Sequence, residues 1–244
     1  MLILFDIDLT LLTSGGAGEQ ALTLAGREVI GPAYSSEGLS VAGRLDTLIF
    51  ADMLRLNGLR PSQHLHNQIR ERYTFHLGRL LETNEKKRAL PGVHEILNAL
   101  TPREHSPVTA SGDEVIVGVL TGNYERSGKM KLHACGINPD QFKVQAWCDL
   151  APLVEPKRAD LVDVAQRLCF DKLSKRRVRR DVVVIGDTPH DVECAKAHGC
   201  VSVGVATGRT TSAELADAGA DHVFPDLSHT SEVLRTLGVD ISRG

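Results

Sequence analysis

Short β-branched runs separated by helical intervals are the feature that most restricts how this sequence can fold. Apolar runs rich in Val and Ile occupy residues 2–7, 115–120, 182–185 and 201–205, with a weaker run at 142–146 and a short one at 222–224. Helical periodicity fills most of the intervals, at 130–135, 159–170, 192–198, 212–218 and 231–237. Strands that alternate with helices predict an α/β protein whose core is a Rossmann-like, doubly wound parallel sheet with helices on both faces. Right-handed crossovers bring the carboxyl end of every strand to one edge, where open sheets of this kind bind ligands.

One interval is too long for a simple crossover. Between Thr13 and Leu90 there is no convincing strand, only amphipathic stretches near 17–29, 46–56 and 61–81. This reads as an inserted helical cap, entered through Ser14-Gly15-Gly16 and left through the charged run 82–88 and Pro91-Gly92. Gly and polar punctuation at both crossings suits hinges. The expected division is a catalytic core of residues 1–14 and 91–244 and a cap of residues 15–90. Residues 102–114 read as a mobile surface loop.

Composition narrows the function classes. The 244 residues carry 24% charged and 42% apolar side chains with a net charge of −3, so no footprint for nucleic acid or an anionic membrane surface is visible. The basic run 175–180 is the local exception and reads as a solvated helix end or loop. No apolar run is long enough to span a bilayer, and Asp6 interrupts any export-type N-terminal pattern. The five cysteines form no CxxC pair and read as buried small residues in a reducing compartment, with the cytoplasm as the expected location.

The chemistry-bearing residues fall at strand ends. Asp6 and Asp8 follow the first run, and residues two apart on an extended chain point the same way. Two carboxylates about 4 Å apart repel by roughly 4 kcal/mol at a surface-like dielectric, so the pair needs a cation or a shared proton. After the run 115–120 come Thr121, Gly122 and Asn123, a hydroxyl and a glycine that let backbone N–H groups approach an anion. Lys157 and Arg158 open the helix 159–170. Asp187 and Asp191 lie in Gly186-Asp187-Thr188-Pro189-His190-Asp191, directly after the run 182–185. The scattered histidines form no ligand set with acidic partners, and Trp147 reads as packing.

These segments, in this order, resemble the haloacid dehalogenase-like (HAD) hydrolase superfamily over nearly the whole chain. Its D-x-D-x-T signature is matched by Asp6-Ile7-Asp8-Leu9-Thr10, its second motif by Thr121, its basic motif by Lys157 or Arg158, and its acidic motif by Asp187 and Asp191. An insertion between the first two motifs marks the helical-cap subclass. Residues 119–123, Gly43-Arg44-Leu45-Asp46 and residues 199–208 resemble the phosphoglycolate phosphatase-like and β-phosphoglucomutase-like branch. The resemblance implies an Asp6 nucleophile, an Asp8 acid/base, and Mg²⁺ held by Asp6, the Asp8 main-chain carbonyl and Asp187. It further implies phosphoryl binding by Thr121, Gly122, Asn123 and Lys157 or Arg158, with Thr10 and Asp191 in support. Leu9 stands where the family usually has Gly, so the turn after Asp8 must avoid positive φ or carry strain.

The expected activity is hydrolysis of a small phosphorylated metabolite through an aspartyl phosphate, with phosphoglycolate-type substrates among the candidates. The alternatives are a phosphomutase on the same core and a non-catalytic phosphate-binding protein; carbon–halogen hydrolysis is disfavoured by the acid at position 8. Arg44 could face the substrate from the cap or be a solvated helix-start residue. No nucleic-acid or membrane partner is expected, and the chain is expected to act as a monomer or homodimer.

Overall fold

The computed structural model describes residues 1–101, 107–152, 154–173 and 179–240. The chain runs β1 (Leu2–Phe5), β2 (Leu12–Thr13), α1 (Ala17–Val29), α2 (Asp46–Leu56), α3 (Gln63–Thr83), β3 (Arg88–Ala89), α4 (Val93–Leu100), β4 (Val108–Thr109), β5 (Ile116–Leu120) and α5 (Glu125–Ala134). It continues with β6 (Val144–Ala146), α6 (Asp160–Leu173), β7 (Val182–Gly186), α7 (Pro189–Ala197), β8 (Val201–Val205), α8 (Ser212–Asp217), β9 (His222–Phe224), α9 (Thr230–Thr236) and β10 (Val239–Asp240).

The main sheet has six strands in the order β6-β5-β1-β7-β8-β9, and all its pairings are parallel. β1 lies in the middle, with Leu2 opposite Ile116 on one side and Val182 on the other. The chain builds outward through β5 and β6, then returns to build β7, β8 and β9 on the opposite side. The carboxyl end of β1 therefore sits at the switch point, the crevice in which such sheets bind ligands.

Period-two alternation divides β1 between two cores. Leu2 and Leu4 join a cluster containing Leu161, Val162 and Ala165 of α6. Ile3 and Phe5 face the opposite cluster with Val93, Ile96 and Leu97 of α4 and Val233 of α9. The helices between β2 and β3 bring Ala21, Phe50, Met53 and Tyr73 into the first of these clusters, so the insert's apolar interior is contiguous with one face of the sheet. α1 packs on α3, and α3 also reaches α5.

Both crossings into the insert are more ordered than the sequence suggested. β2 and β3, absent from the sequence reading, pair antiparallel through Leu12–Ala89 and Thr13–Arg88. The Asn84 amide donates to the carbonyls of Ser14 and Gly15, both at 3.0 Å, which ties one crossing to the other. α4 was also missed. Of the loop expected at 102–114, residues 102–106 lie outside the described residues, and part of the remainder is β4, paired antiparallel with β10. Most of the basic run 175–180 also lies outside them; Arg179–Asp181 is a 3₁₀ turn leading into β7. All five cysteines are buried, and no disulfide joins any of them among the described residues.

Leu9 takes the strained option, with φ of 56°. Its N–H donates to the Leu12 carbonyl at 2.7 Å and its own carbonyl accepts from the Thr207 hydroxyl, which hold the turn in a conformation costing a non-glycine residue about 1–2 kcal/mol. Leu9→Gly should therefore change stability by no more than about 1 kcal/mol, because relief of strain offsets the lost side chain. Leu11→Ala, at a fully buried position two residues on, should cost about 2–5 kcal/mol. Chemical denaturation of both variants checks this; equal losses would mean that the turn carries no strain.

Candidate active site

The end of β1 delivers Asp6, whose N–H donates to the Ile185 carbonyl of β7 at 2.9 Å. Its carboxylate is only 5% exposed and meets the Arg158 guanidinium at 2.9 Å. Arg158, just before α6, also binds Asp191 at 2.6 Å and donates through Nη1 to the Gly43 carbonyl at 3.1 Å. Lys157 is not brought into the site. Its side chain is exposed, and its backbone N–H donates to Asp160 at 2.7 Å as α6 begins. Of the two basic residues, Arg158 alone lies against Asp6.

β7 ends at Gly186 and presents Asp187, 3% exposed, beside Asp6. The Thr10 hydroxyl donates to Asp187 at 3.4 Å. Asp191 sits in the first turn of α7 and caps it: its Oδ2 accepts from the N–H and hydroxyl of Thr188 at 3.1 and 2.7 Å. Carboxyl oxygens of Asp6, Asp187 and Asp191 lie within 4.8 Å of one another. Burial and the neighbouring charges of Asp191 and Asp6 push Asp187 up to about 8, although Arg158 pulls the other way. Burial also raises Asp6 to about 6, against Arg158 and with Asp191 and Asp8. Burial opposes the charge on Arg158, but Asp191 and Asp6 outweigh it and hold the guanidinium firmly cationic.

Asp8 has a cation of its own, so the neutralising charge that the sequence required of the pair is supplied separately at each acid. Its carboxylate accepts from Lys131 at 2.6 Å and from the Asn123 amide at 2.8 Å. Thr121 is wholly buried at the end of β5, and its hydroxyl accepts from the Asn123 amide at 2.9 Å. Asn123 in turn accepts from Lys131 at 2.7 Å. Sequence reasoning missed Lys131. Its signal was positional: with Ser127, Gly128 and Leu132 it lies on the buried side of α5.

The insert closes over this group by main-chain contacts. The Gly122 carbonyl accepts from the Asp46 N–H at 2.8 Å, and a Cβ on Gly122 would stand 2.0 Å from the Arg44 carbonyl oxygen, which demands glycine. Asp46 accepts from the Tyr124 N–H at 3.1 Å, and burial raises it to about 6 against the pull of Lys131. The Arg44 side chain does not follow its backbone into the site. It is held by Asp52 at 2.7 Å and the Ser40 carbonyl at 3.1 Å, inside the insert. Further out, Arg70 of α3 lies 3.8 Å over the Tyr124 ring and pairs with Asp149, while His66 meets the Tyr124 hydroxyl at 2.6 Å.

Acids after β1 and β7, a threonine after β5 and a cation before α6 thus converge at the carboxyl edge of one parallel sheet. A family profile described as HAD-hydrolase-like matches residues 156–230, the part that holds Arg158, Asp187 and Asp191. Phosphoglycolate phosphatase of Haemophilus influenzae is 25% identical over 167 residues, 68% of this chain and 66% of that protein, just under two thirds of its length. Among solved structures, a hydrolase from Pseudomonas syringae superposes with a TM-score of 0.71 at 21% identity, covering 96% of this chain and 97% of that one. CbbY from Rhodobacter sphaeroides, solved with phosphate, superposes at 0.63 with 21% identity, covering 93% and 94%. These comparisons make the chain similar to HAD-like hydrolases, with the profile match confined to residues 156–230. Among the described residues no helix is long and apolar enough to cross a membrane.

Proposed function

We propose that the chain is a Mg²⁺-dependent phosphomonoesterase acting on a small phosphorylated metabolite, with phosphoglycolate-type acids the first class to try. The observation that carries this reading is the convergence of Asp6 and Asp187 with a buried Arg158 at the switch point of the sheet. Buried carboxylates that push one another's affinity for protons upward form a group short of positive charge. Its donors are all hard oxygens, the set Mg²⁺ prefers. Both oxygens of Asp191 are already engaged by Arg158 and Thr188, so in this proposal the ligands are Asp6, Asp187 and the Asp8 main-chain carbonyl. Once bound, the ion would neutralise the carboxylates and draw charge from the phosphoryl oxygens.

The remaining chemistry belongs to the chain itself. The Asp6 carboxylate attacks phosphorus and the ester oxygen departs, leaving an aspartyl phosphate. Asp8 gives its proton to the departing oxygen, then takes one from the water that attacks phosphorus and releases Asp6 with inorganic phosphate. Thr121, the backbone of Gly122 and Asn123, and Arg158 hold the phosphoryl oxygens and stabilise their charge. Arg158 Nε is buried without a partner among the described residues, a donor that an anion would satisfy. Thr10 steadies Asp187, and Asp191 steadies Arg158.

With Asp6, Thr121 and Asp187 nearly inaccessible, a substrate can enter only if the insert moves as a cap. The positive-φ glycines Gly15, Gly16 and Gly92 at the crossings are suited to absorb that rotation. p-Nitrophenyl phosphate should be hydrolysed with Mg²⁺ and not in EDTA, and a panel of phosphorylated metabolites should then show release of inorganic phosphate. A phosphomutase would keep phosphate in an isomerised product, and a binding protein would release none; either outcome would replace this reading.

A further inference from the structure

Burying a lysine is costly unless every donor of its ammonium is used. Lys131 is 6% exposed in its side chain, on the inward side of α5, and its ammonium is held on more than one side. One donor reaches Asp8 Oδ2 at 2.6 Å and one reaches Asn123 Oδ1 at 2.7 Å, and the ammonium interacts with the Tyr73 hydroxyl of α3 as well. Asn123 completes a closed triangle by donating to the same Asp8 oxygen at 2.8 Å. Burial works against the charge on Lys131, but Asp8, Tyr73 and Asp46 outweigh it.

Asp8 needs this clamp because the carboxylate itself is 38% exposed and precedes the strained Leu9 turn rather than lying within a strand. A free carboxyl group there would rotate. With two donors on Oδ2, the rotation is stopped and the transferable proton is confined to Oδ1, the oxygen these contacts leave open.

From this geometry we infer that Lys131 is a positioning residue: it selects which Asp8 oxygen meets the leaving group, and through Tyr73 it joins that selection to closure of the helical insert. The inference rests on the acid/base role proposed above for Asp8. Lys131 touches neither phosphoryl group nor metal ligand oxygen in this scheme.

The test uses the leaving group. p-Nitrophenolate departs without a proton, whereas phenolate departs poorly without one. A positioned acid contributes about 10²-fold or more, so Lys131→Met and Lys131→Gln should lower kcat/KM for phenyl phosphate about 10- to 100-fold further than for p-nitrophenyl phosphate. The Mg²⁺ concentration giving half activity should stay where it is in the wild type. Tyr73→Phe should shift the same ratio in the same direction, by less. Parallel losses on both esters, in variants whose circular dichroism matches wild type, would overturn the positioning role while leaving the phosphatase reading intact. If the wild type hydrolyses neither ester, the phosphatase reading falls and this one with it. Should both Lys131 variants fail to fold, Tyr73→Phe decides alone: a ratio equal to that of the wild type would overturn the proposal.

Discussion

Asp6→Asn is expected to give a folded protein whose phosphate release is reduced by about 10⁴-fold or more, the scale seen when a covalent nucleophile is removed. The amide has the shape of the carboxylate but cannot attack phosphorus. The fold should tolerate it for a reason visible in the ion pairs. Arg158 keeps Asp191 at 2.6 Å after losing Asp6, so no buried cation is stranded. Asp6 also sits among like charges, which together with burial raise it to about 6, and removing its charge relieves Asp187 and Asp191. Thermal unfolding of the variant should thus match or exceed that of the wild type. Phosphate release at more than about a hundredth of the wild-type rate would exclude the covalent route.

The sheet was legible because its strands obey one rule. Runs such as 182–185 and 201–205 are buried on both faces and need no polar alternation, so their limits show directly in composition. The same rule located Asp6, Thr121 and Asp187, which stand where an apolar run stops and thus at one edge of the sheet. What escaped was set by contacts between distant segments. The two-residue strands β2 and β3 exist only because the crossings pair with each other. Lys131 reads as a solvated helical lysine until α5 is docked and Asp8 arrives from 123 residues away. Asp46 was legible as the start of α2 but not as a buried acceptor for the Tyr124 N–H, a contact spanning 78 residues.

The basic residues teach the same point at shorter range. Lys157 and Arg158 are adjacent, and no spacing rule separates them. The start of α6 does: Asp160 accepts from the Lys157 N–H, and the next side chain enters the interior where Asp6 and Asp191 await it. For Arg44 the glycine-flanked turn left two readings open, a side chain facing the substrate or a solvated one, and only the fold separates its backbone from its side chain. Its carbonyl approaches Gly122, while its guanidinium is taken by Asp52 two turns along α2.

Asp187→Asn should raise the stability of the metal-free protein at pH 8 and abolish its response to Mg²⁺. The folded-state affinity of Asp187 for a proton is raised, to about 8 from an ordinary 3.8, and Asp6 is raised to about 6. A carboxyl group raised in this way favours the fold while protonated. Its contribution is complete below pH 3.8, fades as pH climbs through 6 and 8, and is gone above that window. Without metal, the wild type should therefore lose on the order of a few kcal/mol between about pH 5 and pH 9, with Tm falling by roughly 5–10 °C. Asparagine does not titrate, still accepts from Thr10, and should remove the larger share of that loss. In the proposed site Mg²⁺ would bind the ionised carboxylates of the folded state alone, so in the wild type it should restore Tm most strongly at the upper end of the same window. Differential scanning fluorimetry across this pH range, in EDTA and in excess Mg²⁺, reads all of these effects without relying on turnover. A wild-type Tm indifferent to Mg²⁺ at pH 8, together with a destabilised Asp187→Asn variant, would mean that the acidic cluster is held together by its protons and is not a cation site.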